Sequence, residues 1–327
     1  MNTADSDPID PRTPPVKLLE RFGPSQSESI SPEGALRYCR ALARSHYENF
    51  SVLTGLVPQR LRDDFAAVYA FCRWSDDLGD ELGGSDEART RASELLAWWR
   101  GQLDACARGE SRHPVYVALQ STIRRHGLPL KPFADLIAAF VQDQEVTRYQ
   151  TFEQLIEYCA RSADPVGRIV LHLGGYPDES ANADRYRMSD ATCTALQLTN
   201  FWQDVRRDLF ERGRVYIPEA LTGLSPESLR DFADRGSESS VRLGFIRSLR
   251  PLVARTWELF EIGRPLPRTL TRDIAPVVWL FGAGGRSVLE AVERCGCTTL
   301  WHRPRLKAMT KAGLLFRARL GLIGPAR

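Results

Sequence analysis

The chain has 327 residues, 43% of them hydrophobic and 26% charged, so it has the balance of a soluble globular protein and the length to bury a large core. A net charge of +3 is too small to point to nucleic acid as a partner, and none is expected. Seven cysteines, an odd number spread from Cys39 to Cys297, fit the reduced thiols of a cytoplasmic protein better than a disulfide framework, and the close pair Cys295 and Cys297 lacks the second pair a zinc site needs.

Residues 1–30 carry Pro8, Pro11, Pro14, Pro15 and Pro24 among serines and acids, and read as a disordered tail with no signal-peptide pattern. Ser31-Pro32-Glu33 predicts a helix start, with Ser31 as N-cap and a helix to about residue 45. Over residues 61–82, Leu61, Phe65, Val68, Tyr69 and Cys72 recur at helical spacing until Gly83-Gly84. Further helices are predicted over 86–107, 114–126 and 132–146. Thr151 with Gln154 forms a capping box that opens a helix over 151–163, and Asp164-Pro165-Val166-Gly167 breaks or kinks it. Residues 189–210 form one helix without Gly or Pro, and Ser225-Pro226-Glu227 starts another. The last long helices cover 239–262, with a kink expected at Pro251, and 271–293, with an interruption expected at Gly282, Gly284 and Gly285. No useful stretch alternates with period two, so the expected fold is all-α, with residues 31–300 as the helical domain. Residues 301–327 hold seven Lys/Arg and no Asp/Glu, and read as a basic last helix of that domain. No apolar run reaches the ~18–20 residues of a membrane span. The basic end, with Leu314, Leu315, Phe316 and Leu320 around Arg317 and Arg319, allows a peripheral contact with an anionic membrane as well as ordinary packing.

The chemistry concentrates in two places. Asn200, Asp204 and Asp208 recur every four residues, and Gln197 lies three residues before them, so a helix puts all four on one stripe. A second acidic stripe holds Asp76, Asp77, Asp80 and Glu81, with Tyr69 and Arg73 on adjoining positions. A mostly apolar helix has no packing reason to end in four acids, although a solvated, frayed end explains either stripe alone. Rows of hard oxygen ligands suit Mg2+, which keeps part of its water shell and is completed by substrate phosphates. The implied ligand is a diphosphate in a shared cavity, with Arg73, Arg148, Arg206 or Arg214 helping to neutralise it as the C–O bond breaks. A di-metal carboxylate site is the rival, but it needs two Glu-x-x-His motifs, and the chain offers one, Glu110 to His113.

At these residues the chain resembles the squalene/phytoene synthase family. Asp76-Asp-Leu-Gly-Asp80 is similar to its first Asp-x-x-x-Asp motif. Asp204-Val-Arg-Arg-Asp208, with Asn200 before it and Gly213-Arg-Val-Tyr-Ile-Pro218 after it, is similar to the second. The resemblance implies an isoprenoid-synthase fold, a single helical domain with a central active-site cavity. It implies Asp76, Asp80, Asp204 and Asp208 as catalytic, and Asp76, Asp77, Asp80, Asn200, Asp204 and Asp208 as Mg2+ ligands. Tyr69, Arg73, Gln197, Asn200, Gln203, Arg214 and Tyr216 are implied as substrate-binding. His46 to Phe50, Gln142 to Gln144 with Arg148 and Tyr149, Asp164 to Gly167 and Thr199 to Asp204 resemble the hydroxysqualene synthases of bacterial hopanoid pathways. Many phytoene and dehydrosqualene synthases carry Arg before the second-motif Asp, where this chain has Gln203. That departure removes a cation. It agrees with an enzyme that ionises presqualene diphosphate, rearranges the carbocation and lets water capture it as hydroxysqualene. The alternatives are a head-to-head condensing enzyme making presqualene diphosphate, squalene or phytoene, and a silent prenyl-lipid-binding partner. The implied setting is cytoplasmic, peripheral on the inner membrane face, beside other enzymes of the pathway.

Overall fold

The structure is a computed structural model, and it describes residues 9–10, 12–25, 28–45 and 55–322. The described chain is helical, with one isolated bridge between Arg148 and Val215. The expected all-α class therefore holds. The helices group into two compact units, Met1–Gln144 with His172–Tyr176, and Glu145–Leu171 with Pro177–Arg327.

The first unit is built on α1 (Pro32–Ser45), α2 (Arg62–Asp80), α3 (Asp86–Arg108), α4 (Pro114–His126) and α5 (Lys131–Glu145). Ser31 Oγ accepts from Gly34 N at 3.1 Å, so the predicted cap starts α1. The core of this unit is aromatic. Trp74 stacks on Trp99 at 5.5 Å, and His113 stands edge-on to both, at 4.3 and 4.8 Å. Trp74 Nε1 donates to the Tyr38 hydroxyl and Trp99 Nε1 to Ser75 Oγ, each at 2.9 Å, so the buried indoles leave no donor unpaired. Burial pushes the His113 imidazole down to about 3, so it sits neutral in this core. His113 is also the N-cap of α4, its Nδ1 accepting from Val115 N at 3.3 Å.

The tail expectation needs correction. Pro15–Leu18 and Leu19–Phe22 form short helical turns, with Leu18 and Phe22 buried and the Phe22 ring 6.0 Å from His113. Two apolar side chains four residues apart bury enough surface against this unit to offset the ordering cost that the prolines already lower. The predicted motif at His46 to Phe50 lies outside the described residues.

The second unit is organised around α8 (Ala183–Gln203). The earlier helices α6 (Phe152–Ser162) and α7 (Asp164–Leu173) lead into it, though α7 ends in residues grouped with the first unit. After it come α9 (Pro226–Asp234), α10 (Ser239–Gly263), α11 (Ala275–Arg294) and α12 (Ala308–Arg319). The α6 capping box forms as predicted, and Ser225 Oγ caps α9 by accepting from Ser228 N at 3.1 Å. The expected interruption of α11 does not occur. A Cβ at Gly285 would run into Leu196 of α8 and Phe260 of α10, so this glycine marks a close helix approach rather than a break. Among the described residues no helix is long and apolar enough to cross a membrane.

Candidate active site

The first acidic row rides on the last turn of α2, which holds no basic residue. Carboxylates at a helix C-terminus oppose the macrodipole, so local electrostatics disfavours this placement and the tertiary structure enforces it. Trp74 and Ser75 cement the opposite side of the helix through the bonds described above. From α5, Gln144 Nε2 donates to the Gly79 carbonyl at 3.1 Å and to the Phe140 carbonyl at 3.0 Å, which ties α5 to the row itself. Arg73 pairs with Asp77 one turn along and reaches Asp76 at 3.6 Å. Asp77 is fully buried, and neither of its oxygens takes a hydrogen bond among the described residues. Burial, then the neighbouring Asp76, Glu81 and Asp80, push its carboxyl up to about 7, while Arg73 pulls it down. A fully buried carboxylate that meets one guanidinium among three further acids, with no hydrogen bond to its oxygens, is what a hard divalent cation would satisfy, so the row fits Mg2+. Tyr69 is half-buried one turn before Arg73, and burial raises its hydroxyl pKa against the pull of Arg73.

The second row departs from the single helix predicted over 189–210. α8 ends at Gln203, Asp204 takes a non-helical cap conformation, Val205–Arg207 makes one turn, and Asp208–Arg212 forms a π turn that closes at Gly213 with φ 64°. The register survives the break. Asp204 N donates to the Asn200 carbonyl and Asp208 N to the Asp204 carbonyl, both at 2.9 Å, so the three residues keep their four-residue spacing. Trp202, fully buried, anchors the row by donating to Thr256 Oγ1 of α10 at 2.8 Å. The Arg214 N–H donates to the Asp208 carbonyl at 2.8 Å, so the following loop folds back on the row. Val215 N donates to the Thr147 carbonyl at 2.8 Å, and Tyr216 stacks on Phe201 at 3.8 Å within a cluster that includes Tyr149 and Tyr158. Gln197 is half-buried and Asn200 exposed on α8, whereas Arg206 lies over the Phe210 ring at 4.8 Å.

Sequence reasoning missed Arg303. Its guanidinium forks onto Asp204, Nε to Oδ1 at 2.5 Å and Nη2 to Oδ2 at 3.0 Å. Next to it, Gln203 Nε2 donates to the Pro304 carbonyl at 2.7 Å. The segment after α11 is thus strapped across the second row, and a cation at Asp204 has to share or displace this guanidinium. The acid-free run 301–327 was the available signal, but nothing in it says which carboxylate one arginine meets across 99 residues of chain. The remaining fit to Mg2+ is in the donor set, one amide and two carboxylates in helical register. Among the described residues no three acidic, His or Cys side chains close into a cage.

The fold is shared with solved isoprenoid synthases. Squalene synthase HpnC from Alicyclobacillus acidocaldarius is similar with a TM-score of 0.68 and 40% identity, over 81% of this chain and 95% of that one. A dehydrosqualene synthase solved with a ligand shares the fold with a TM-score of 0.71 at 22% identity, over 89% of this chain and 97% of that one. The chain matches the squalene/phytoene synthase family over residues 43–310, and it belongs to that family. Its relatives include a hydroxysqualene synthase of Rhodopseudomonas palustris, 32% identical over 67% of this chain and 70% of the relative. They also include a 15-cis-phytoene synthase of Synechocystis, 30% identical over 87% of this chain and 84% of the relative. The protein is an enzyme of this family, whose members act on prenyl diphosphates.

Proposed function

We propose that the enzyme ionises presqualene diphosphate with the help of Mg2+, rearranges the cation and captures it with water to release hydroxysqualene. The observation that carries this reading is Gln203. It stands directly before the second-motif Asp204, and its amide nitrogen is engaged by Pro304. A site with an amide there offers one cation fewer to diphosphate. That suits ionising one bound diphosphate better than holding two prenyl diphosphates together. The hydroxysqualene synthase of Rhodopseudomonas palustris supports the same branch, whereas HpnC, at 40% identity, carries the name of a squalene synthase.

Asp76, Asp77 and Asp80 of the first row, and Asn200, Asp204 and Asp208 of the second, are the residues to hold Mg2+. Once bound, Mg2+ supplies the positive charge that neutralises the departing diphosphate. Tyr69, Arg73, Gln197, Arg214 and Tyr216 bind and orient the diphosphate, so that the C–O bond breaks heterolytically with both electrons leaving on oxygen. The Tyr149, Tyr158, Phe201 and Tyr216 rings put aromatic surface beside the second row, which suits a carbocation that water must reach only once. Water then adds to the cation and loses a proton, giving the alcohol.

The test is a product assay with Mg2+ and no NADPH, on farnesyl diphosphate in one tube and presqualene diphosphate in another. Hydroxysqualene from the second tube alone is expected. Presqualene diphosphate or a longer product from the first would make this a condensing enzyme, the reading that the phytoene synthase relative favours by its longer match. Asp204→Asn is expected to lower turnover by about 10²-fold or more with the fold intact. Unchanged turnover would remove the second row from the mechanism.

A further inference from the structure

We propose that α12 docks the enzyme on an anionic lipid surface. Of the large exposed apolar side chains among the described residues, four fall within residues 309–322. Met309, Phe316, Leu320 and Leu322 are all more than half exposed, Met309 at 87%. Single exposed apolar residues are ordinary, whereas a contiguous set marks a surface that something covers.

The set has helical order. Met309, Gly313, Phe316 and Leu320 recur at four, three and four residues, so they form one solvent-facing stripe along the helix. The opposite side is spoken for, because Ala318 is buried and α12 packs on α11. Arg317 and Arg319 lie one position to either side of the stripe, and the Arg317 guanidinium is held 5.3 Å over the Trp279 ring of α11. Arg305, Lys307 and Lys311 add charge at the start of the helix, and residues 301–327 contain no acid. An apolar stripe between cations, on a segment that itself holds no carboxylate, is complementary to a bilayer interface. The stripe enters the acyl boundary while the exposed Arg319 and the cations at the start of the helix stay with anionic headgroups.

The location adds a reason. Arg303 and Pro304, just before α12, are bonded to Asp204 and Gln203 of the second acidic row. Docking α12 therefore puts one row of the candidate site next to the surface in which apolar substrates dissolve.

The experiment is flotation of the full-length protein with vesicles of phosphatidylcholine alone and of phosphatidylcholine mixed with phosphatidylglycerol. Binding is expected to the mixed vesicles and to fall as salt rises. Phe316→Ser with Leu320→Ser, and separately Arg317→Gln with Arg319→Gln, are each expected to weaken partitioning about tenfold or more, with circular dichroism unchanged. Met309→Ser, the most exposed position, repeats the test where refolding problems are least expected. Equal binding by wild type and all variants, or no binding by wild type, overturns the proposal. So does a concentration-dependent dimer that the serine variants abolish, because the stripe would then cover a second copy.

Discussion

Asp164 shows how much one side chain can say about this protein. It is the first residue of α7, buried, and accepts from Thr194 Oγ1 at 2.8 Å. Burial, and then Asp190, push its carboxyl up to about 7 from an ordinary 3.8, against the pull of Thr194 and Arg168. Asp190 itself is forked by Arg168, at 3.0 and 2.6 Å, while burial raises its own carboxyl against that pull. The folded chain therefore binds a proton that the unfolded chain has already released. Stability from this group is complete below about 3.8 and is lost as pH climbs to about 7. Asp164→Asn is expected to flatten the fall in thermal midpoint between about pH 4 and about pH 7, and to raise the midpoint at the upper end. The gain is on the order of a few kcal/mol. Parallel pH profiles of wild type and variant would show that the burial cost is met elsewhere. The Asp-Pro step at 164–165 is visible in the sequence as a helix break, but the charge state is not, because Asp190 and Thr194 come from a different helix.

At the scale of elements, the local signals were legible and the long-range ones were not. Ser31, Thr151 with Gln154, and Ser225 mark helix starts because a cap is made within three residues, and the structure realises all three. Gly282, Gly284 and Gly285 read as a break because glycine lowers helix propensity, yet α11 runs straight through them. What decides is the neighbouring helices. Gly285 meets Leu196 and Phe260, whereas a Cβ at Gly284 meets nothing within 4 Å. Gly284→Ala is thus expected to stabilise by up to about 1 kcal/mol, and Gly285→Ala to destabilise by about 1–3 kcal/mol, read from chemical denaturation. Equal effects would mean that helix propensity, not packing, governs this segment. The same contrast explains the two acidic rows. Their spacing is a local property and was readable. The break at Asp204 was not, since the guanidinium that holds this carboxylate comes from the far end of the second unit. Likewise the turns at Pro15–Phe22 depend on a buried surface supplied by other helices, and their prolines read as disorder.

Over the whole molecule, the seven cysteines report on integrity. All are unpaired, and burial raises the thiol pKa of Cys39, Cys72, Cys106, Cys159, Cys193 and Cys297. Six protonated thiols, four of them buried and Cys72 and Cys193 half-buried, react slowly, so a thiol-specific chromogen at about pH 8 should label the native protein at Cys295 at most within minutes, and all seven after denaturation. Fast labelling of several thiols in native buffer would mean that one of the units opens readily. These cysteines lie in both units, at Cys39, Cys72 and Cys106 in the first and at the other four in the second, so mapping the labelled positions tells which unit opened. The strap across the second row has a thermodynamic consequence of its own. Arg303 and any divalent cation compete for the same two oxygens of Asp204, so their equilibria are linked. Whatever free energy the guanidinium takes from cation affinity, the cation takes from the hold on the segment leading into α12, and the two penalties are equal by reciprocity. On the proposed readings, a surface that restrains α12 would act on metal affinity without touching a ligand, and the magnesium concentration that half-saturates the enzyme would become a property of where the enzyme sits.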